Sequence, residues 1–273
     1  MITFLFWNIG KKPLLDRVAR IADRAGVDVL LLAECGATNE DVLTALNATV
    51  AVPNWVYPPA GSERLKLFTR LPETSVIDRF TEVADRLTIR EIRPTSGEPF
   101  LLAGVHLPSK FKWKDPDHVS WIHFLVEDLQ RIEGEQAGRL VLVGDLNMDP
   151  FDSAVVGGFG LHALSTRRAA ERYGGRVVQK RECNRAFFNP MWSLLGDRGA
   201  RPAGTFYRRE SVPVNHYWHA LDQVLLRPAL AGKLVMVDIL DRDGVESLTH
   251  PDGGWPDADA GSDHLPLLFK LDL

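Results

Sequence analysis

Leu140-Val141-Leu142-Val143-Gly144-Asp145-Leu146-Asn147 decides the fold. Four apolar residues in a row, broken at a glycine, read as a strand buried on both faces. An acid and an amide then stand where the strand ends, and strand ends are where a rigid sheet presents side chains to a cleft. The same arrangement recurs in both directions along the chain. Asn8 follows the apolar run Ile2 to Trp7, Glu34 follows Asp28 to Ala33, and His106 follows Leu101 to Val105. Asp222 and the pair Asp263-His264 stand just before Val224 to Leu226 and Leu265 to Phe269. Weaker strands are expected at Leu65 to Thr69, Arg86 to Ile92 and Val235 to Leu240.

Helical spacing falls between these runs. Leu14, Leu15, Val18, Ile21, Ala22 and Ala25 recur at three- and four-residue steps, with Pro13 near the first turn and Gly26 as a stop. Val119, Ile122, Leu125, Val126, Leu129 and Ile132 do the same before Gly134, and a shorter helix is expected from Asn39 to Leu46. Strands outnumber helices, which suits two packed sheets flanked by helices. No internal repeat or linker interrupts residues 1–273, which are expected to form one catalytic domain. Residues 148–220, rich in Arg, Gly and Pro, are expected to supply long loops with a short helix or two.

Composition narrows the class. The chain has 273 residues, 45% hydrophobic and 25% charged, enough for a large core without a disulfide or structural metal. A net charge of -4 gives no global basic field for long DNA, though local cations are not excluded. Two cysteines, Cys35 and Cys183, fit a reducing cytoplasm, and Cys35 is expected to be a small buried hydrophobe. Phe4 to Trp7 has no basic residues before it and reads as a strand rather than a secretion signal. No apolar stretch approaches the roughly 20 residues that span a bilayer. A soluble cytoplasmic protein is expected.

The polar residues at the strand ends carry the chemistry. Carboxylates with an asparagine carbonyl suit a hard divalent cation, Mg2+ or Mn2+. Histidines beside carboxylates suit phosphate contact and proton transfer. Together they are the parts needed to drive water onto phosphorus while a cation offsets charge on the oxygens.

Trp7-Asn8, Ala33-Glu34, Val105-His106, Gly144-Asp145-Leu146-Asn147, Leu221-Asp222 and Ser262-Asp263-His264, in that order, resemble the motif series of the endonuclease/exonuclease/phosphatase superfamily. The resemblance, which includes the deoxyribonuclease and abasic-site endonuclease branches, spans nearly the whole chain. It implies a four-layer α-β-β-α sandwich with two packed mixed sheets flanked by helices, and a metal-dependent phosphoesterase. By resemblance Glu34 is the main metal carboxylate, with Asn8 and Asp263 near the same ion. Asp145 orients or deprotonates water, and Asn147 holds the phosphate or that water. His264 meets the scissile phosphate with Asp222 orienting it, and His106 is a second phosphate-facing histidine. Two positions depart from the family: Ala33 stands where Gln often precedes the metal Glu, and Leu146 where Phe is common.

Substrate is written in the loops. Lys110-Phe111-Lys112-Trp113-Lys114 alternates cations with aromatics, which suits phosphate contact plus base stacking, or a solvated loop. Tyr207 and Trp218 belong to an aromatic-rich stretch before Asp222 and are candidates for nucleic-acid contact. For a nuclease, the basic residues of 110–114 and 167–185 are expected on the cleft rim. The alternative is a phosphatase or phosphodiesterase for a small or lipid-derived phosphate, with a closed pocket and one or two cations inside. Of the remaining histidines, His118 and His123 are expected to be solvent-facing or half buried. His216 and His219 lie close enough to Asp222 to approach the site.

Overall fold

The computed structural model describes residues 1–50, 54–58, 62, 64–80, 86–109, 115–134, 138–173, 177–178, 180–196, 202–210 and 215–273. All seven residues of β1 (Ile2–Asn8) are buried. The helix α1 (Leu15–Arg24) carries the chain back to β2 (Val29–Ala33), which pairs with β1 in parallel. Val18, Ile21 and Ala22 give α1 one buried face. A capping box opens α2 (Asn39–Ala48): Asp41 N–H donates to Thr38 Oγ1 at 3.1 Å and Thr38 N–H donates to Asp41 Oδ2 at 3.2 Å. Then comes β3 (Leu65–Thr69), antiparallel to β2.

The second sheet starts with β4 (Val76–Phe80), β5 (Leu87–Ile92) and β6 (Phe100–His106). A second parallel crossover follows through α3 (Asp115–Glu133) to β7 (Leu140–Asp145). The irregular middle contains α4 (Ser153–Val156), β8 (Ala163–Leu164), α5 (Arg167–Tyr173), β9 (Val177–Val178), β10 (Arg181–Glu182), β11 (Phe187–Phe188), β12 (Phe206–Tyr207) and β13 (Trp218–His219). The chain closes with β14 (Asp222–Leu226), α6 (Pro228–Ala231), β15 (Leu234–Ile239) and β16 (Leu267–Leu271). One sheet has five strands in the order β15-β16-β1-β2-β3, the other seven in the order β4-β5-β6-β7-β14-β11-β8. Both are mixed, as expected. No helix among the described residues is long and apolar enough to cross a membrane.

Side-chain alternation assigns the layers. On β6 and β7, Leu101, Ala103, Val105, Leu140 and Leu142 face outward onto Ile122, Leu125, Val126 and Leu129 of α3. Phe100, Leu102, Val141 and Val143 face inward and share one core with β1, β2 and α1. The sheets touch at Gly104, where a β-carbon would stand 2.6 Å from Leu65 Cδ2 and 2.7 Å from Leu31 Cδ2. Gly144 is a tighter constraint. Its φ is +152°, and a β-carbon would lie 1.8 Å from Val105 O on the neighbouring strand. Gly144→Ala is therefore expected to cost about 3 kcal/mol, through overpacking plus backbone strain. The check is denaturant melting, and an unchanged midpoint would show that β6 and β7 can part to admit a methyl group.

Three expectations shift. The last strand begins at Leu267 rather than Leu265, because Leu265 N–H donates to Thr205 O at 2.8 Å and His264 bridges Phe206. Among the described residues of 148–220 there are two short α-helices, as read, but also a 3-10 turn at Pro190–Ser193 and two-residue strands too brief to show a period. His118 is buried, not solvent-facing or half buried: its Nε2 lies 2.8 Å from Pro108 O, so the start of α3 folds down on the segment after β6.

Candidate active site

Strand register gathers the site. Asn8 pairs with Ala33 at the ends of β1 and β2, and His106 pairs with Asp145 at the ends of β6 and β7. Because β14 runs antiparallel to β7, its first residue, Asp222, also pairs with Asp145. The segment entering β16 delivers His264 to the same edge, where Trp7 Nε1 donates to His264 O at 2.8 Å. Ser262 Oγ ties the two chain ends together by donating to Asn8 O at 2.6 Å and accepting from His264 N–H at 3.1 Å.

Asp145 sits at the centre. Its Oδ2 accepts from Asn8 Nδ2 at 3.1 Å and its Oδ1 from the Asn147 N–H at 2.8 Å. Asn147 takes a left-handed φ of +51°, and its Nδ2 donates to Leu107 O at 2.9 Å. Glu34 also has a positive φ, +49°, and its half-buried carboxylate lies 3.5 Å from His106 Nε2. Both residues pay for uncommon backbone conformations, a pattern found at functional sites. The exposed Asp263 carboxylate borders the same space, 3.5 Å from where a β-carbon on Gly10 would stand. His264 Nδ1 and Asp222 Oδ2 are 2.8 Å apart, both residues buried. Thr205 Oγ1 accepts the Asp222 N–H at 3.1 Å.

The electrostatics separate the titratable groups. Burial works against a charged His264, but the Asp222 carboxylate and its hydrogen bond, aided by Asp145 and Asp263, lift the ring to about 10. Burial raises the Asp145 carboxyl to about 7; His264 pulls it down and Asp222 pushes it up. Burial lowers His106 to about 4, assisted by Arg86 and His264 and opposed by Glu34 and Asp222. The neutral-pH site thus pairs a cationic His264 with a neutral His106, and Asp145 is poised to exchange a proton. The Cys35 thiol beside Glu34 is pushed up by burial, as befits a buried hydrophobe.

A divalent cation fits this donor set. Glu34, Asp145, Asp222 and Asp263 bring four carboxylates together against one cationic imidazole, an imbalance that a hard cation offsets through oxygen ligands. Among the described residues, buried Asp222 Oδ1 and His106 Nδ1 have no hydrogen-bond partner, so polar capacity remains at the site.

The substrate candidates fare unevenly. Lys110 and Lys112, with Phe111, Trp113 and Lys114, lie outside the described residues. Tyr207 and Trp218 pair across the β12–β13 hairpin, ring centroids 5.2 Å apart. They share the face opposite Phe206, whose ring lies 5.0 Å from His264. Phe206 was one of the aromatics expected before Asp222, though as a groove contact rather than beside His264; Ser262 stood inside the Ser-Asp-His triplet, and Thr205 left no trace in the spacing of residues. The expectation of a basic rim from 167–185 does not hold for Arg167 and Arg185. Arg167 Nη2 donates to Leu234 O at 3.2 Å, and Leu234 pairs with Leu271, at the end of the sheet away from Asn8. Arg185 pairs with Glu133 at the C-terminal end of α3.

Fold and site together define the class: a phosphoester hydrolase that works with a divalent cation. The sequence profile of the Endonuclease/Exonuclease/phosphatase family matches residues 5–264, and the chain belongs to that family. Among curated proteins no sequence matches it. Solved structures share the fold at low identity. An AP endonuclease from Archaeoglobus fulgidus superposes with a TM-score of 0.60 at 15% identity, covering 100% of both chains. The D. rerio TDP2 complexed with single strand DNA product gives 0.59 at 17%, covering 100% of this chain and 99% of that one. The 3' phosphatase NExo from Neisseria bound to product DNA hairpin gives 0.57 at 16%, covering 100% of both.

Proposed function

We propose that the protein is a nuclease that cleaves a phosphodiester of DNA or RNA by attack of water, with the site residues in the roles their positions suit. One observation carries the reading. Asp145, Asp222 and His264 bring their ligating atoms within 4.8 Å of one another at the mouth where Asn8 and His106 end their strands and Glu34 follows the end of β2. Glu34 with Asn8 and Asp263 would hold Mg2+ or Mn2+, which would supply charge neutralisation at the phosphate oxygens. Asp145 takes the proton of the attacking water. Asn147, whose backbone N–H already fixes Asp145, offers its second amide proton to a phosphate oxygen. The cationic His264, held by Asp222, donates to the oxygen on which charge develops. Neutral His106 positions the same group from the other side.

Nucleic acid is favoured by an aromatic stack on the face of the β12–β13 hairpin opposite Phe206. Tyr217, Tyr207 and Trp255 stack in sequence, with centroids 6.0 and 5.5 Å apart and planes within 24°, and Arg209 lies 4.4 Å over Trp255. Near-parallel rings with a guanidinium cap suit an unpaired base and its phosphate. Two of the solved relatives, those from D. rerio and Neisseria, are DNA-product complexes, in keeping with this reading. The second reading, a small phosphate ester, draws on the net charge of -4 and on the distance of Arg167 and Arg185 from the cleft.

The deciding experiment is a panel with Mg2+ and Mn2+: single-stranded, duplex and abasic DNA, RNA, nucleotides and phosphoinositides. A nuclease turns over an oligonucleotide, with KM rising steeply with salt. Turnover confined to small phosphates and indifferent to moderate salt establishes the second reading instead. Excess chelator abolishes activity in either case. Glu34→Gln removes a ligand charge and is expected to raise the Mg2+ concentration for half-maximal rate by about tenfold or more. An unchanged Mg2+ requirement removes Glu34 from the cation's shell.

A further inference from the structure

Asp149, His216 and His219 form a second convergence of metal-binding atoms, all within 4.8 Å of one another. Asp149 Oδ2 lies 2.7 Å from His219 Nδ1 and 3.2 Å from His216 Nε2. A tetrahedral cation with bonds of about 2.0–2.1 Å needs ligand atoms roughly 3.3 Å apart; the two carboxylate contacts lie below that spacing, and the two ring nitrogens lie within 4.8 Å of each other. The carboxylate is already aimed. Its other oxygen accepts the Ala220 N–H at 3.0 Å, and the Asp149 N–H donates to Asp152 Oδ2 at 3.0 Å, which leaves Oδ2 facing the two rings.

The backbone supplies an independent sign. Residues three apart in an extended chain point to opposite faces. Here His216 and His219 face the same carboxylate, with ring centroids 4.2 Å apart, because Tyr217 between them adopts a left-handed φ of +64°. A bulky residue rarely takes that conformation. Asn215 Oδ1 holds it by accepting the Tyr217 N–H at 2.8 Å. Strain maintained by its surroundings is a mark of function, and a single histidine would have satisfied Asp149.

We propose that Asp149, His216 and His219 bind a second cation, of the borderline transition-metal class typified by Zn2+. Two imidazoles and one carboxylate favour Zn2+ or Co2+ over Mg2+, which demands oxygen. His216 is 44% exposed and borders a cleft of about 620 Å³ with Phe151 and Trp218, so a coordination position stays open to solvent or ligand. Phe206 separates this site from the phosphate centre: its ring is 5.0 Å from His264 and 6.3 Å from His219.

The test reads binding, not turnover, and so stands apart from the nuclease reading. Metal-stripped full-length protein is saturated with Mg2+ and titrated with Co2+ by visible absorption, then with Zn2+ in competition. The expected result is about one equivalent of Co2+ per chain, with the intense absorption of low coordination number, displaced by Zn2+ and unaffected by Glu34→Gln. His216→Ala, at a partly exposed position, is expected to weaken binding about 100-fold or more, and His216→Cys to restore it. Circular dichroism checks that both variants are folded. The proposal is overturned if no Co2+ binds beyond the Mg2+-filled centre, if His216→Ala binds as tightly as the parent, or if Glu34→Gln removes the signal.

Discussion

Asp145→Asn is expected to lower turnover by about 10²- to 10⁴-fold, the range for losing a positioned general base, while the fold survives. The substitution is nearly isosteric. The new amide keeps one acceptor, enough for the Asn147 N–H that Oδ1 now accepts at 2.8 Å. Its NH2 must face Asn8 Nδ2, which now donates to Oδ2 at 3.1 Å, so one local contact turns from donor–acceptor to donor–donor. Against that loss stands a gain. Burial already lifts the carboxyl to about 7, His264 only partly offsets this, and Asp222 adds to it, so the ionised form is uncomfortable where it stands. A neutral group relieves that, and the melting temperature is expected to hold or rise. Activity lost while stability is kept is the signature of a residue retained for chemistry rather than folding. The rate–pH profile gives the sign: a base works deprotonated, so the parent rate climbs with pH through an acid limb that the variant lacks. Turnover within about threefold of the parent would return Asp145 to a structural role.

Much of this arrangement was legible because it follows from one rule applied repeatedly. Doubly buried strands are continuous apolar runs, and a polar residue directly after such a run must leave the core. Asn8, Glu34, His106 and Asp145 were all placed that way; register pairs His106 with Asp145 and Asn8 with Ala33, the residue before Glu34. What the rule cannot supply is which strands become neighbours. That Asp222 stands opposite Asp145 depends on an antiparallel pairing between β7 and β14, separated by the whole irregular middle. Thr205, and the placing of the aromatic Phe206 against His264, were illegible for a related reason. They matter through a two-residue strand whose partner is chosen by tertiary packing, not by any period in the sequence. The edge strand β4, reading Val-Ile-Asp-Arg-Phe, was missed because its charged middle residues face Arg90 and Glu91 on one neighbour and have no second sheet face to bury. Charge was the least transferable signal. Arg167 and Arg185 were expected on the cleft rim of a nuclease, yet each is held at the end of the sheets away from the cleft.

His264→Ala should match Asp145→Asn in severity, about 10²- to 10⁴-fold, but Asp222→Asn is the more telling variant because it leaves every atom of the histidine in place. The ring is buried, and burial alone would make it neutral; the Asp222 carboxylate, 2.8 Å from Nδ1, does most to hold the proton on. With the carboxylate gone, the ring's pKa falls from about 10 back toward or below its ordinary 6.5. The cationic fraction at pH 8 then collapses, whereas at pH 6 part of it survives. The variant is therefore expected to lose more activity at pH 8 than at pH 6, its alkaline limb moving down by several units, which a rate–pH profile and a ring titration by NMR both read. Stability carries the same sign. A folded-state value raised above 6.5 contributes stability that is complete below that pH and drains away as pH rises through about 10. The parent should thus lose melting temperature between pH 7 and 10, and Asp222→Asn, lacking the pair, should lose less over that interval. If the variant keeps the parental alkaline limb, Asp222 does not hold the charge on His264, and the imidazole must act in its neutral form.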